Sequence, residues 1–311
     1  MDTRPLDPTS EREISSVLEL FRLVYGFELP RALYRWRFLD NPFGSPLVTL
    51  LWDGEVLAGH YAASPMRSWL GGEVRSAQSM TTMTHPAYRN RGVFTSLAED
   101  LYARMTALGY GMIWGLPNVQ SHYGFTTKLR WRDVAIMFTM TRVIGDQDGD
   151  PVDELDELPS GIDELFARSD DGRVYPSARD ARYMQWRYAN NPTVRYRFFT
   201  GDNVLLVAKD YATSPTTRSL ELVDYLYERA PKHFGALVRS ICAWAKARGY
   251  ATVRTWMATT DAAFGELEKL GFTPKEPLAY FGGRTFGGFA IPETRWNHSG
   301  FAITMGDSDN Y

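Results

Sequence analysis

The stretch richest in chemistry is QSMTTMTHPAYRNRGVFTSLAEDLY, Gln78 to Tyr102. It reads as a strand over Ser79–Thr84, a tight loop over His85–Arg91 and a helix that opens at Gly92 or Val93. Such a junction suits an anion, because the first N–H groups of a helix lack intrahelical partners and the helix dipole adds partial positive charge. Gly92 permits close backbone approach, and Arg89 and Arg91 bring guanidinium donors to the rim. Phosphate oxygens match those donors.

Downstream lie MIWGLPNVQS, Met112 to Ser121, and TTKLRW, Thr126 to Trp131, with His122 and Tyr123 between them. A histidine at that place could serve as general base, since imidazole as a class titrates near neutrality. His122 nevertheless reads more readily as a surface loop residue than as a catalyst, and His85 more readily as a hydrogen-bonded strand end before Pro86. Asp307 and Asp309 could hold an ammonium and take its proton, although carboxylates near a terminus are usually solvated. His233 and His298 are too isolated to suggest a metal site. Cys242 is the only cysteine, in a helical run where it reads as a small buried apolar residue, so no disulfide framework or cysteine zinc site can be assembled.

HPAYRNRGVF, His85 to Phe94, resembles the pyrophosphate-binding signature of GNAT N-acyltransferases, Arg/Gln-x-x-Gly-x-Gly/Ala. Arg89, Asn90, Arg91, Gly92, Val93 and Phe94 occupy that pattern, with Phe94 in place of the second small residue. The resemblance implies that backbone amides from Arg89 to Thr95 grip the diphosphate of acetyl-CoA or another short acyl-CoA, used as co-substrate. It also implies that the strand after the helix splays from its parallel neighbour to admit the pantetheine arm. Asn118 then touches that arm with Ser121 one helical turn on, or it is an ordinary helix N-cap, which both residues also favour. An N–H around Met83 and Thr84 would stabilise the tetrahedral oxyanion. The tyrosine that family members often use as acid is absent, since the corresponding position is Thr126, leaving Tyr123 and His122 as nearby substitutes.

The elements that position these residues repeat. YRWRFLDNP at Tyr34–Pro42 is echoed by YMQWRYANNP at Tyr183–Pro192, with Trp36 and Trp186 150 positions apart; HYAASP and DYATSP keep that offset. It contracts to 140 at Ala107-Leu108-Gly109-Tyr110 and Ala247-Arg248-Gly249-Tyr250, as if one hairpin were about ten residues shorter. Val93, Leu97, Leu101, Met105 and Leu108 form one apolar helical stripe, which Phe234, Leu237, Ile241 and Trp244 or Ala245 repeat. The fold expected is α/β (α+β): two tandem GNAT domains, each a mixed, mostly antiparallel sheet flanked by helices. They occupy residues 1–145, with the acyl-CoA site, and 160–311, a degenerate copy that shapes an acceptor pocket or an interface. Residues 146–159 read as a solvated acidic linker. The second copy has no phosphate loop, because its equivalent stretch, Leu222–Val238, carries Pro231 and no Arg-x-x-Gly-x-Gly pattern.

Hydrophobic residues at 44% and charged residues at 23% allow sizeable cores. A net charge of −3 removes the basic footprint of a nucleic-acid binder. No apolar run approaches the roughly eighteen residues of a membrane span, and Met1–Glu13 holds no apolar leader core, so a cytoplasmic address and no membrane partner are expected. A homodimer stays open. The tandem layout, the PN-x-x-S turn and the terminal GDSD, Gly306–Asp309, resemble nucleotide-sugar N-acyltransferases, which makes an amino sugar nucleotide the expected acceptor. The alternatives are an aminoglycoside, polyamine or protein amine, and a CoA-binding module without turnover.

Overall fold

The structure, a computed structural model, describes residues 1–145, 149–214 and 217–308. It divides into two compact units, neither continuous in sequence: Met1–Ser68, Gly72–Val134 and Tyr280–Glu293 make the first, and Trp69–Gly71, Ala135–Ala279 and Thr294–Tyr311 the second.

In the first unit β1 (Asp2–Pro5) leads into α1 (Glu11–Tyr25). Sequence sets both ends of that helix. Ser10 accepts from the Glu13 N–H, acidic Glu11 and Glu13 sit in the first turn, and Gly26 stops the helix in the left-handed conformation. Next come α2 (Arg31–Tyr34), which widens into a π-type turn at Arg35–Leu39, and the strands β2 (Leu47–Asp53), β3 (Val56–Trp69) and β4 (Glu73–Thr84). The Asp53-Gly54 hairpin lies where its turn residues place it. α3 (Val93–Ala107), β5 (Met112–Gly115) and α4 (Val119–Tyr123) follow.

The sheet of this unit runs β1-β2-β3-β4-β5 and is closed by Gly282–Thr285, the end of a strand that begins far downstream, antiparallel to β5. β4 and β5 are parallel, pairing only over Ser76–Gln78 and Met112–Trp114. β4 then continues to Thr84 while β5 ends at Gly115, so a wedge opens between them. Val93, Leu97, Leu101 and Met105 are buried on the sheet as their spacing requires, whereas Leu108 is exposed past the helix end. Each buried side chain of that stripe stabilises the packing by about 1.5–3 kcal/mol.

The second unit repeats the order: α5 (Ile162–Ser169), α6 (Ala181–Met184) with its own π-type turn at Gln185–Ala189, β7 (Tyr196–Gly201), β8 (Val204–Ser214), β9 (Thr217–Tyr227), α7 (Pro231–Ala247), β10 (Thr252–Thr255) and α8 (Phe264–Lys269). The strand before it, β6 (Arg132–Val143), pairs with β10, and β11 (Thr273–Thr285) is the strand whose end closes the first unit. Its core holds Phe234, Leu237, Ile241, Trp244 and Ala245, so both alternatives for the fourth stripe position are buried, with Cys242 among them. Burial pushes the Cys242 thiol up to about 11.

Two expectations need revision. The tandem division at 146–159 follows the repeat, but the units divide within β6 and β11, since apolar patterning marks a strand's face and not the strand it will pair with. The acidic segment is also no free connector where it is described. Glu154 pairs with Arg197 at 2.8 Å, and the Leu155 N–H donates to the Phe198 carbonyl at 2.9 Å. Residues 146–148 and Asp309 lie outside the described residues. The lost ten positions are shared: the connection from strand to helix is His85–Gly92 in the first unit but only Glu228–Ala230 in the second, and the hairpin before it accounts for the rest.

Candidate active site

The phosphate-loop expectation rests on what happens between β4 and α3. Pro86–Tyr88 form a single 3₁₀ turn, capped by His85, whose Nδ1 accepts from the Ala87 N–H at 3.2 Å. His85 is therefore a capping residue. Asn90 (φ +63°) and Gly92 (φ +76°) both take the left-handed conformation, which Asn tolerates and glycine adopts without steric cost. The Tyr88 hydroxyl donates to Asp53 at 2.8 Å, and Arg91 lies over the Tyr88 ring at 5.3 Å, tying the loop to the β2–β3 hairpin.

Residues 89–92 are exposed. The Arg89 N–H reaches the Pro86 carbonyl at 3.4 Å, and Ser96 is the first helix residue whose N–H finds a carbonyl, Gly92, at 3.0 Å. Among the described residues the N–H groups of Asn90, Arg91, Gly92, Val93, Phe94 and Thr95 have no protein partner. That row of donors ends a fifteen-residue helix. Phe94, the departure from the signature, turns its ring inward against Tyr61 (6.0 Å) and Phe125 (5.2 Å), leaving only its amide for the loop. Val93 is buried as well. It lies so close to β3 that a Cβ on Gly59 would come within 2.5 Å of Val93 Cγ1 and 2.7 Å of Leu97 Cδ1. Gly59 thus sets how near α3 approaches the sheet, a role unreadable without knowing what crosses it.

On β4 the Met83 side chain belongs to the core under α1, so only its backbone faces other work; Thr84 is half-buried at the strand end. Three positions earlier Thr81 has φ +53°, a left-handed residue inside a strand. Fully buried His60 holds it: Nδ1 lies 2.8 Å from the Thr81 carbonyl and Nε2 3.2 Å from the Tyr34 hydroxyl. A carbonyl accepts only, so Nδ1 carries the proton and Nε2 accepts from Tyr34. Burial depresses the His60 pKa to about 4, keeping the ring neutral.

At the other side of the wedge Asn118 caps α4, its Oδ1 accepting from the N–H groups of Gln120 (3.1 Å) and Ser121 (3.0 Å) and from the Ser121 hydroxyl (3.1 Å). Its Nδ2 donor has no partner among the described residues. His122 is not a bare loop residue. Its Nε2 lies 2.7 Å from Asp133 Oδ1, and its ring stacks on Tyr280 at 3.8 Å and 18°. Neither partner was legible beforehand, since Asp133 is eleven residues away and Tyr280 arrives on the strand that closes the unit. Phe125, in the π-type turn Gly124–Lys128 that continues α4, is the ring that Phe94 meets, so that turn and the first turn of α3 are neighbours. Tyr123 is 65% exposed, with no hydrogen bond from its hydroxyl among the described residues.

Asp307 stands elsewhere, in the second unit. It is wholly buried, 2.6 Å from Arg179 Nη2, and accepts from the Thr304 N–H at 3.0 Å in a capping box. Burial raises its pKa against the pull of Arg179. An open carboxylate waiting for an amine, or a solvated terminal one, does not describe it, because the tail folds onto a buried arginine that needs counter-charge. Among the described residues no group of three or more His, Cys, Asp or Glu side chains is placed to hold a metal ion.

Residues 5–133 match the family model of the acetyltransferase (GNAT) domain. The first unit carries a GNAT acetyltransferase domain. Solved structures share the fold along most of the chain. A conserved protein of unknown function from Enterococcus faecalis, described as a probable N-acyltransferase, is 14% identical with a TM-score of 0.67, covering 92% of this chain and 72% of its own. A GCN5-related N-acetyltransferase from Anabaena variabilis is 13% identical with a TM-score of 0.67, covering 90% and 72%. The Saccharomyces cerevisiae N-myristoyltransferase with bound myristoyl-CoA is 12% identical with a TM-score of 0.61, covering 97% and 89%. No curated protein matches the sequence. The GNAT match, with this fold, supports an acyl-CoA-dependent N-acyltransferase, and GNAT domains use acetyl-CoA. No helix among the described residues is long and apolar enough to cross a membrane.

Proposed function

We propose that the GNAT domain transfers an acetyl or other short acyl group from acyl-CoA to the amine of a small acceptor, and that the unpartnered amides of Asn90–Thr95 hold the diphosphate. That row of unpartnered donors, exposed at Asn90–Gly92, is the observation that carries the reading. Arg89 and Arg91 add charge-assisted contacts. The wedge between β4 and β5 takes the pantetheine arm, along which Asn118 Nδ2 and the Ser121 hydroxyl lie. Backbone N–H groups at Met83 and Thr84 receive the oxyanion that forms when the amine nitrogen attacks the thioester carbonyl.

His122 is the base we assign. Asp133, acting as acceptor, keeps the proton on Nε2 and leaves Nδ1 with a lone pair for the proton that the attacking amine loses. As the C–N bond forms and the C–S bond breaks, the electron pair leaves with sulfur, and a proton returned to it gives free CoA thiol. Tyr123, on the next position, is the proposed acid, its exposed hydroxyl free to act through water.

As acceptor we propose an amino-deoxysugar carried on a nucleotide. The repeated order of elements and the Asn118–Ser121 turn support it; the GDSD tail no longer does, since Asp307 is occupied by Arg179. Thiol release from acetyl-CoA, followed across amino sugar nucleotides, aminoglycosides and polyamines, tests this. Turnover on the nucleotide sugars is expected. Turnover only on the other amines would replace the acceptor, and tight CoA binding without turnover on any amine would leave a binding module.

A further inference from the structure

The second unit has lost the phosphate loop but kept a wedge. β9 and β10 pair in parallel only over Ser219–Leu222 and Thr252–Thr255, and β9 runs on to Tyr227. Beyond the last paired residues lies a cavity of about 240 Å³. Tyr225 and Tyr227 line it from β9, Ala258 and Asp261 from the segment after β10, and Arg173 and Arg229 bring charge.

Its carboxylates are engaged. Asp261 accepts from Arg173 Nη2 at 2.9 Å, from the Ala263 N–H at 3.0 Å and from the Tyr227 hydroxyl. Asp171 accepts from Arg173 Nε at 2.6 Å and from the Arg173 N–H at 3.1 Å. Arg179, also on the wall, is neutralised by Asp224 at 2.7 Å and Asp307 at 2.6 Å. The tyrosine hydroxyls donate inward as well, Tyr225 to the Trp256 carbonyl and Tyr175 to the Ser169 carbonyl. What remains is donor capacity. Among the described residues Arg173 Nη1 has no partner, and Arg229, exposed at the mouth, uses only Nη2, on the Asp170 carbonyl.

We propose that this cavity binds a small organic anion, a carboxylate or phosphate monoester on an apolar or aromatic body. The two guanidinium groups would hold the head, because planar N–H pairs match both kinds of oxyanion. Tyr225, Tyr227 and Ile303 would pack the body. The volume suits a single ring with its substituent and is below the roughly 300 Å³ at which pockets for drug-sized ligands begin.

Calorimetric titration of the full chain with phenyl phosphate, benzoate and benzylamine tests the assignment. At least one of the two anions is expected to bind, the tighter one naming the head group, and benzylamine is expected to give no heat. Arg229→Gln should weaken the anion about tenfold or more. Ala262→Phe, a rim change that fills the mouth, should abolish binding without lowering Tm. Arg91→Ala, in the phosphate loop, should leave it unchanged. The proposal is overturned if neither anion binds at millimolar concentration, if benzylamine binds more tightly, or if Arg91→Ala removes the heat while both cavity variants retain it.

Discussion

His60 Nδ1 lies 2.8 Å from the carbonyl oxygen of Thr81, the one β4 residue with a left-handed backbone. A buried neutral imidazole thus pins the irregularity in the strand that the proposed mechanism uses for oxyanion stabilisation. Its pKa falls from 6.5 to about 4 on folding, so as pH drops the unfolded chain takes up the proton first. Stability from this group is complete above pH 6.5 and is lost as pH falls toward 4, by about 3 kcal/mol in all. Urea denaturation across that window should show a steeper acid loss in the parent than in His60→Gln. Equal slopes would mean that His60 titrates normally in the fold.

The His122–Asp133 contact predicts a division between kcat and KM. His122→Gln should lower kcat about a hundredfold and Asp133→Asn about tenfold, with KM for acetyl-CoA nearly unchanged. Steady-state thiol release measures both constants. A rise in KM at constant kcat would place the pair in cofactor binding.

Gly59 predicts a packing effect that reaches the cofactor. Gly59→Ala drives a methyl into Val93 and Leu97, at an overpacking cost of about 1–3 kcal/mol, and displaces the start of α3. Urea midpoints should fall and CoA affinity should weaken severalfold together. Loss of stability with CoA affinity intact would separate the loop from the helix register.

Asp307→Asn should destabilise the second unit by roughly 3 kcal/mol, since Arg179 is buried and would lose one of its two carboxylate partners. The kcat of the folded protein should hold. A large fall in kcat with unchanged Tm would return Asp307 to the chemistry.

Much of the first unit was legible because its signals are local. A strand that breaks at His85-Pro86, a glycine at 92 and an apolar stripe from Val93 to Met105 are written within neighbouring residues. The repeat likewise marked Arg35–Leu39 and Gln185–Ala189 as equivalent segments, though not their π-type turns. What sequence did not reveal depends on distant partners. His122 read as a surface loop residue because Asp133 and Tyr280 meet it only after β11 closes the unit, and Asp307 looked solvated because Arg179 precedes it by 128 positions. The left-handed Thr81 had no cue, since threonine favours strands and only His60 across the sheet explains it.

The claim on which the account turns is that the amides of Asn90–Thr95 bind the diphosphate of CoA. Titration of nitrogen-labelled protein, followed by amide NMR shifts, compares CoA with pantetheine, which lacks the diphosphate. CoA should move the amide signals of Asn90–Thr95 most, and pantetheine should leave them in place. If CoA binds while those six signals stay where they were, the loop is not the cofactor grip and the acyl-transfer reading of this domain fails.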